Sequence, residues 1–347
     1  MNDHALRADD DAAPAASPGT APPAAARPAA AGAPPGDPGA RHYTAGGLVL
    51  RRFLRHRGAM VATAVLVVVV LAAFTSIGVG PVPGWWDKDV ATAYDKLGDG
   101  APTWEHPFGQ DTIGKDYLAL VMRGTQVSLF IAFGVGVIST VVGTVVGAVA
   151  GYFRGFLDAI LMRVTDVVII VPLLAIAAVL GRTSDGNLGL LVLALGAVLW
   201  TSLARLVRAE VLSLRERDFV LAARAVGTGP ARIILRHLLP NAVGVVIVQA
   251  TLTIAVAILL ETSLSFLGFG VQRPDVSLGS LISEYEGAFS TRPWLFWWPG
   301  LLILAVALCV NFIGDGLRDA FDPRQTSGGT RARGPRTAAL PSGKAGL

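Results

Sequence analysis

The sequence predicts an all-α polytopic membrane protein with six transmembrane helices and both termini on the cytoplasmic side. Three observations carry that prediction. The 347 residues are 52% hydrophobic and only 16% charged, with a mean hydropathy of +0.56, too apolar for a water-soluble globule. Six apolar runs, at roughly 59–79, 126–150, 163–181, 188–207, 243–264 and 296–314, approach the ~20 residues of helix that a ~30 Å hydrocarbon core requires. The cationic side chains are sorted by loop, which orients those runs across the bilayer.

Residues 1–45 are a separate regime rich in Ala, Pro and Gly. Such a segment buries too little apolar surface to offset its ordering entropy, so a disordered cytoplasmic tail is expected. A signal peptide is not expected: the first apolar run begins only near Ala59, and GVGPVPGWW after it lacks an A-x-A-like cleavage site. Arg51, Arg52, Arg55 and Arg57 precede the first span and place its start inside. The loop from 80 to 122 reverses the balance, with three lysines against seven acids (Asp87, Asp89, Asp95, Asp99, Glu105, Asp111, Asp116). Its Trp85, Trp86 and Trp104, with the later PWLFWWP of Pro293–Pro299, are candidates for an external partner contact or a headgroup belt. Trp294, Trp297 and Trp298 are read as headgroup anchors.

In the second span Gly143, Gly147 and Gly151 recur every four residues, with Gly136 and Gly134 about two turns earlier. Small residues at that spacing let helix backbones approach closely in lipid. Packing inside the bundle is the first reading, and a pathway-lining or subunit-contact face the second. Only GRTSDGN separates runs three and four, which predicts a helical hairpin. Between runs four and five, positions 205–240 hold seven arginines against three acids. This inside bias accounts for a pI near 9.5 without any need for nucleic-acid binding.

That arginine-rich loop contains FVLAARAVGTGPARIILRHLLPN, from Phe219 to Asn241. Phe219, Ala222, Ala223 and Val226 fall at i, i+3, i+4 and i+7, one apolar stripe on a short helix. Gly227-Thr228-Gly229-Pro230 breaks that helix. Ala231, Ile234, Leu235 and Leu238 make a second stripe before Pro240, where a stop is expected. A helical hairpin on a membrane face is a docking element.

Ionisable groups within spans are costly and therefore informative. Asp166 stands three residues after Arg163, one turn away, and a local ion pair is expected. Glu261 lies near the outer end of the fifth run, in LLETSLSFLGFG, where water or a partner helix would satisfy it. Both are candidates for a pathway or gate. Asp315, where the sixth run leaves the membrane, is read as solvated.

Catalytic chemistry finds no constellation. His4, His42, His56, His106 and His237 share no helical spacing with a second ligand type, Cys309 stands alone, and no GxxxxGK[ST] occurs. No catalytic, metal or cofactor site is expected, and any ATP used must be bound by another subunit.

The hairpin resembles the cytoplasmic EAA loop of permease subunits from ABC importers. In that pattern Glu-Ala-Ala is followed by glycine four residues after the second alanine, and later by Leu-Pro. Ala222 and Ala223 stand at the alanines, Gly227 at the glycine, and Leu239 and Pro240 at the closing pair; the glutamate position holds Leu221. Four further segments resemble the C-type permease of dipeptide and oligopeptide importers: Arg51–Phe74, His106–Phe133, Thr262–Glu284 and Gly314–Arg324. The resemblance covers about 49–324.

It implies a type I ABC importer permease fold in the bacterial inner membrane. Residues 46–125 would carry the first span and external loop, 126–318 the permease core with its coupling loop at 208–241, and 319–347 a cytoplasmic tail. The implied partners are a homologous B-type permease, two ABC ATPase subunits and an extracytoplasmic solute-binding protein. The coupling role would fall on Phe219, Leu221, Ala222, Ala223, Arg224 and Gly227, with Leu239 and Pro240 closing the hairpin. Arg217 and Arg224, off the stripe, would meet acidic groups on the ATPase. The alternative is a self-contained, ion-gradient-driven carrier or channel, which predicts an internal repeat or a buried ionisable relay. No repeat is visible, and only Asp166 and Glu261 could serve in a relay.

Overall fold

The computed structural model describes residues 45–96 and 98–321. Both expected tails, apart from the last turn of the final helix, lie outside the described residues. Helix α1 (Ala45–Arg55) leads into α2 (Arg57–Ser76), the first span. The junction is His56, whose Nδ1 accepts the Ala59 amide at 3.1 Å and caps α2. On α2, Ala59, Ala62 and Ala73 are buried while Val61, Val65, Val68 and Leu71 are exposed, a contiguous apolar face suited to lipid.

A two-residue ladder, β1 (Gly78–Val79) with β2 (Val82–Pro83), opens the acidic loop. Helix α3 (Tyr117–Phe153) follows, unbroken over 37 residues, or ~55 Å at 1.5 Å per residue. It starts well before the apolar run near 126 because its first turns are buried in protein: Tyr117, Leu118 and Val121 pack with Leu278, Leu281 and Leu295.

The third run is not one rod. Helices α4 (Gly155–Ile170) and α5 (Leu173–Thr183) meet at 90°. The cause is Pro172, which drives Val171 to extended backbone (φ −71°, ψ 130°) and cannot donate to a continuing ladder. The fourth run is bent 45° at Trp200, between α6 (Leu188–Leu199) and α7 (Thr201–Leu214). The expected turn between the third and fourth runs is present: Asp185 and Gly186 take positive φ, and Asn187 Oδ1 caps α6 by accepting the Leu190 amide.

After α8 (Asp218–Ala225) and the one-turn α9 (Pro230–Ile233), a π-helical turn at Ile234–Leu238 runs straight into α10 (Leu239–Phe266). Helix α11 (Leu278–Tyr285) packs beside the acidic loop, and α12 (Trp294–Phe321) completes the bundle. Among the described residues, four helices are long and apolar enough to cross a membrane, and six spans result if each bent pair counts as one. Pro299 lies inside α12 and leaves the Leu295 carbonyl without its usual helical donor; the Tyr117 hydroxyl supplies one instead.

Three apolar clusters hold the bundle. The largest joins α3, α5, α6, α10 and α12. A second sits at the acidic-loop end, and a third at the arginine-rich end, where α3, α7, α8 and the π turn meet.

Candidate functional site

Helix α8 ends in a Schellman motif. The Thr228 amide donates to Ala223 O at 3.0 Å and the Gly227 amide to Arg224 O at 2.9 Å, with Gly227 at φ +79°. This closes two of the carbonyls that a helix end leaves open. A Cβ at Gly227 would meet nothing within 4 Å, so the demand for glycine is conformational rather than steric. Pro230 then starts α9 at N1, where its missing amide costs no hydrogen bond.

The structure rotates the expected stripe. Val220 and Ala223 are buried among Val207, Val211, Leu214, Ile233 and Leu238, while Phe219, Leu221, Ala222 and Val226 are exposed. Ala223 therefore belongs to the chain's own core, and the displayed edge is Phe219–Ala222–Val226 with Leu221 beside it. Arg224 is turned inward as well: its guanidinium lies 5.1 Å over the Tyr152 ring, and its Nε is shielded from solvent with no hydrogen-bond partner among the described residues.

The second half differs from expectation for a different reason. Ile233, Ile234 and Leu238 are buried, whereas Ala231 and Leu235 are exposed. The Leu239 amide donates to Ile234 O, five residues back, so 3.6-residue spacing fails across this turn. Nor does Pro240 stop the helix. The widened turn accommodates a residue with no amide proton, and the rod runs from Pro230 to Phe266. Leu239 is partly buried against the cluster and Pro240 is exposed.

The glycine stripe packs within the chain. Cβ atoms at Gly143, Gly147 and Gly151 would fall 2.8, 2.5 and 2.9 Å from the Trp200, Ala204 and Arg208 carbonyl oxygens. Helix α7 covers this face. Asp166 pairs with Arg205 on α7 at 2.6 Å, so the expected local pair with Arg163 gives way to one between helices. Glu261 is fully buried and is hydrogen-bonded both within α10 and from a second helix, α3. It accepts from Ser265 Oγ at 2.7 Å and Ser128 Oγ at 3.1 Å. Ser277 Oγ bonds Ser265 Oγ, and the Leu278 amide bonds Ser128 Oγ, joining α3, α10 and the start of α11. Asp166 and Glu261 are thus each satisfied locally.

At the other end the acidic loop is held by its own acids. Asp116 caps α3 through the Ala119 amide, takes His106 Nδ1 at 2.6 Å and accepts from Trp86 Nε1 at 3.0 Å. Asp111 Oδ1 accepts the Ile113 and Lys115 amides, and its Oδ2 accepts from Tyr285. Burial, aided by Asp111, pushes the Tyr285 hydroxyl well above its ordinary range, keeping it a donor. Trp298 stacks on Phe108 at 3.9 Å and 4°, and Trp294 crowds Gly109, so these two pin the loop rather than serve only as headgroup anchors. Trp85, Trp104 and Trp297 remain exposed. The spacing rules had not singled out Tyr152, Asp158 or Arg215. Asp158 lies two residues into a run of apolar residues near a proposed span, and that oddity was the available signal.

The bent spans and the capped hairpin define a polytopic helical membrane protein. The chain belongs to the family of binding-protein-dependent transport system inner membrane components, whose family model matches residues 143–327. The model of the N-terminal TM domain of oligopeptide transport permease C matches residues 44–89. It is 42% identical over 286 residues to the oligopeptide transport system permease protein OppC of Mycobacterium bovis, covering 81% of this chain and 95% of that one. A Brucella ovis protein named as a peptide permease is 36% identical over 275 residues, 79% of this chain and 89% of that one. A Brucella abortus protein named as a peptide transport permease is 38% identical over 277 residues, 80% and 91% of the two chains. The chain is therefore a non-catalytic, multi-pass permease subunit of an ABC importer. It works with a partner permease, a binding protein and separate subunits that hydrolyse ATP.

Proposed function

We propose that this permease forms, with a homologous B-type permease, the translocation pathway for di- or oligopeptides across a bacterial inner membrane. Two ATPase subunits seat on the 219–240 hairpin from the cytoplasm, where both termini lie, and a solute-binding protein delivers cargo to the acidic-loop end. The chain binds no cofactor, and ATP is bound by the partner subunits. The peptide assignment is supported by the names of the relatives. Orientation is supported by the arginine-rich and acidic ends of the bundle.

One observation carries the docking assignment. Helix α8 is locked from behind by Val220 and Ala223 and still displays Phe219, Leu221, Ala222 and Val226. An anchored short helix with an apolar outer edge transmits a partner's movement as a rigid-body shift.

The test begins with affinity purification from native membranes. A second permease and P-loop ATPases should accompany the chain. Phe219→Cys or Val226→Cys should crosslink to the ATPase and Val220→Cys should not, while uptake by the complex should follow di- and oligopeptides. Recovery of the chain alone, transporting after reconstitution, would overturn the reading in favour of a gradient-driven carrier.

A further inference from the structure

We propose that Tyr152, at the inner end of α3, is a positioning residue for coupling: through Arg224 and Arg215 it makes α3 follow the docking helix. The inference rests on the docking role of α8 and adds a second route out of it, besides the continuous rod of α10.

Two guanidinium groups from the α7–α8 arm converge on this one residue. Arg215 stands at the C-cap of α7 and donates from Nη1 to the Tyr152 carbonyl at 2.6 Å. That carbonyl is among the last of α3, which ends at Phe153, and a cation there complements both the open acceptor and the helix dipole. Arg224, in the last turn of α8, lies over the Tyr152 ring at 5.1 Å. Its Nε is shielded and has no hydrogen-bond partner among the described residues, so the ring face compensates that cation. The Tyr152 side chain also rests against the cluster of Val220, Ala223 and Leu238. It therefore packs on the cluster that α8 enters through Val220 and Ala223, and its ring faces the charge of Arg224 on that helix.

The rest of α3 is built to carry such a displacement. Gly147 and Gly151 seat it on α7 with no room for a Cβ, so the two helices move together at this end. The helix has no break before Tyr117. Along the way Ser128 hydrogen bonds Glu261, and at the far end Asp116 ties the helix start to His106 and Trp86 of the acidic loop. A tilt imposed at Tyr152 therefore reaches the surface where cargo is delivered.

The experiment uses the full importer, reconstituted with its ATPases and with the binding protein recovered from the same cells carrying its co-purified ligand. Tyr152→Leu should keep the ATPases bound yet lower ligand-stimulated hydrolysis and uptake by about fivefold, the equivalent of a contact worth ~1 kcal/mol. Tyr152→Phe, which keeps the ring, should restore both. Arg224→Met should match Tyr152→Leu, and the double variant should be no worse than either. Normal stimulation in Tyr152→Leu overturns the proposal, as does loss of the ATPases from it, which would make the residue a prop for docking. The docking role fails separately, if Phe219→Asp leaves the ATPases bound.

Discussion

Arg208 holds the Asp158 carboxylate with both arms of its guanidinium, Nε to Oδ1 at 2.6 Å and Nη2 to Oδ2 at 2.7 Å, tying α4 to α7. Helix α4 has few other buried side chains; Thr165 is its one fully enclosed residue. A planar fork matched to a carboxylate cannot be replaced by a point charge. Arg208→Lys and Asp158→Asn should each cost about 1–2 kcal/mol, read as earlier thermal unfolding of the detergent-solubilised chain. An unchanged Arg208→Lys transition would show that α4 is held by something else.

Gly227 is required for its left-handed backbone and not for space. Gly227→Asn should keep near-normal coupling, since Asn tolerates that conformation. Gly227→Val should strain the turn by ~1–2 kcal/mol and raise the ratio of ATP hydrolysed to substrate taken up. Wild-type coupling by correctly inserted Gly227→Val would sink the assignment.

Glu261 separates a structural from a gating role. Glu261→Gln keeps an acceptor for the serines and should transport normally. Glu261→Leu leaves buried hydroxyls unpaired and should cost about 2–3 kcal/mol of stability. A stable Gln variant that fails to transport would instead make the charge itself essential.

Trp85 and Trp86 are adjacent and should behave oppositely. Trp86→Ala removes a loop anchor and should destabilise the chain by roughly 2 kcal/mol. Trp85, 67% exposed, should leave stability unchanged when replaced by Ala and weaken association with the binding protein. Normal association by Trp85→Ala would remove that contact from the docking surface.

Leu221 occupies a position that is 46% exposed, so a carboxylate there keeps its water. Leu221→Glu should take up substrate at the wild-type rate. Complete loss would show that the partner groove has an apolar chemistry of its own.

What the sequence made legible was whatever depends on composition and short spacing. The spans, the loop asymmetry, the Gly227 turn and the close-packed glycines all follow from local rules. The 90° bend is written in Pro172, but mean apolarity masks it in a run such as VVIIVPLL. The faces of the hairpin were not. Which side of α8 is buried depends on where α3 and α7 lie, and that is tertiary information. Arg205 beside Asp166, Ser128 beside Glu261 and Tyr152 beside Arg224 were hidden for the same reason, since each comes from a different helix. The π turn defeated the second stripe because periodicity analysis assumes one pitch.

That turn also sets an azimuth. Between Ile234 and Leu238 the chain carries one residue more than an α-helix needs to advance by the same turn. Deleting a single residue there would restore the ordinary ladder and swing everything upstream by about 100° around the α10 axis. The side of the membrane rod on which the hairpin emerges is thus fixed by one surplus amino acid, a phase setting that no substitution can alter and a deletion can.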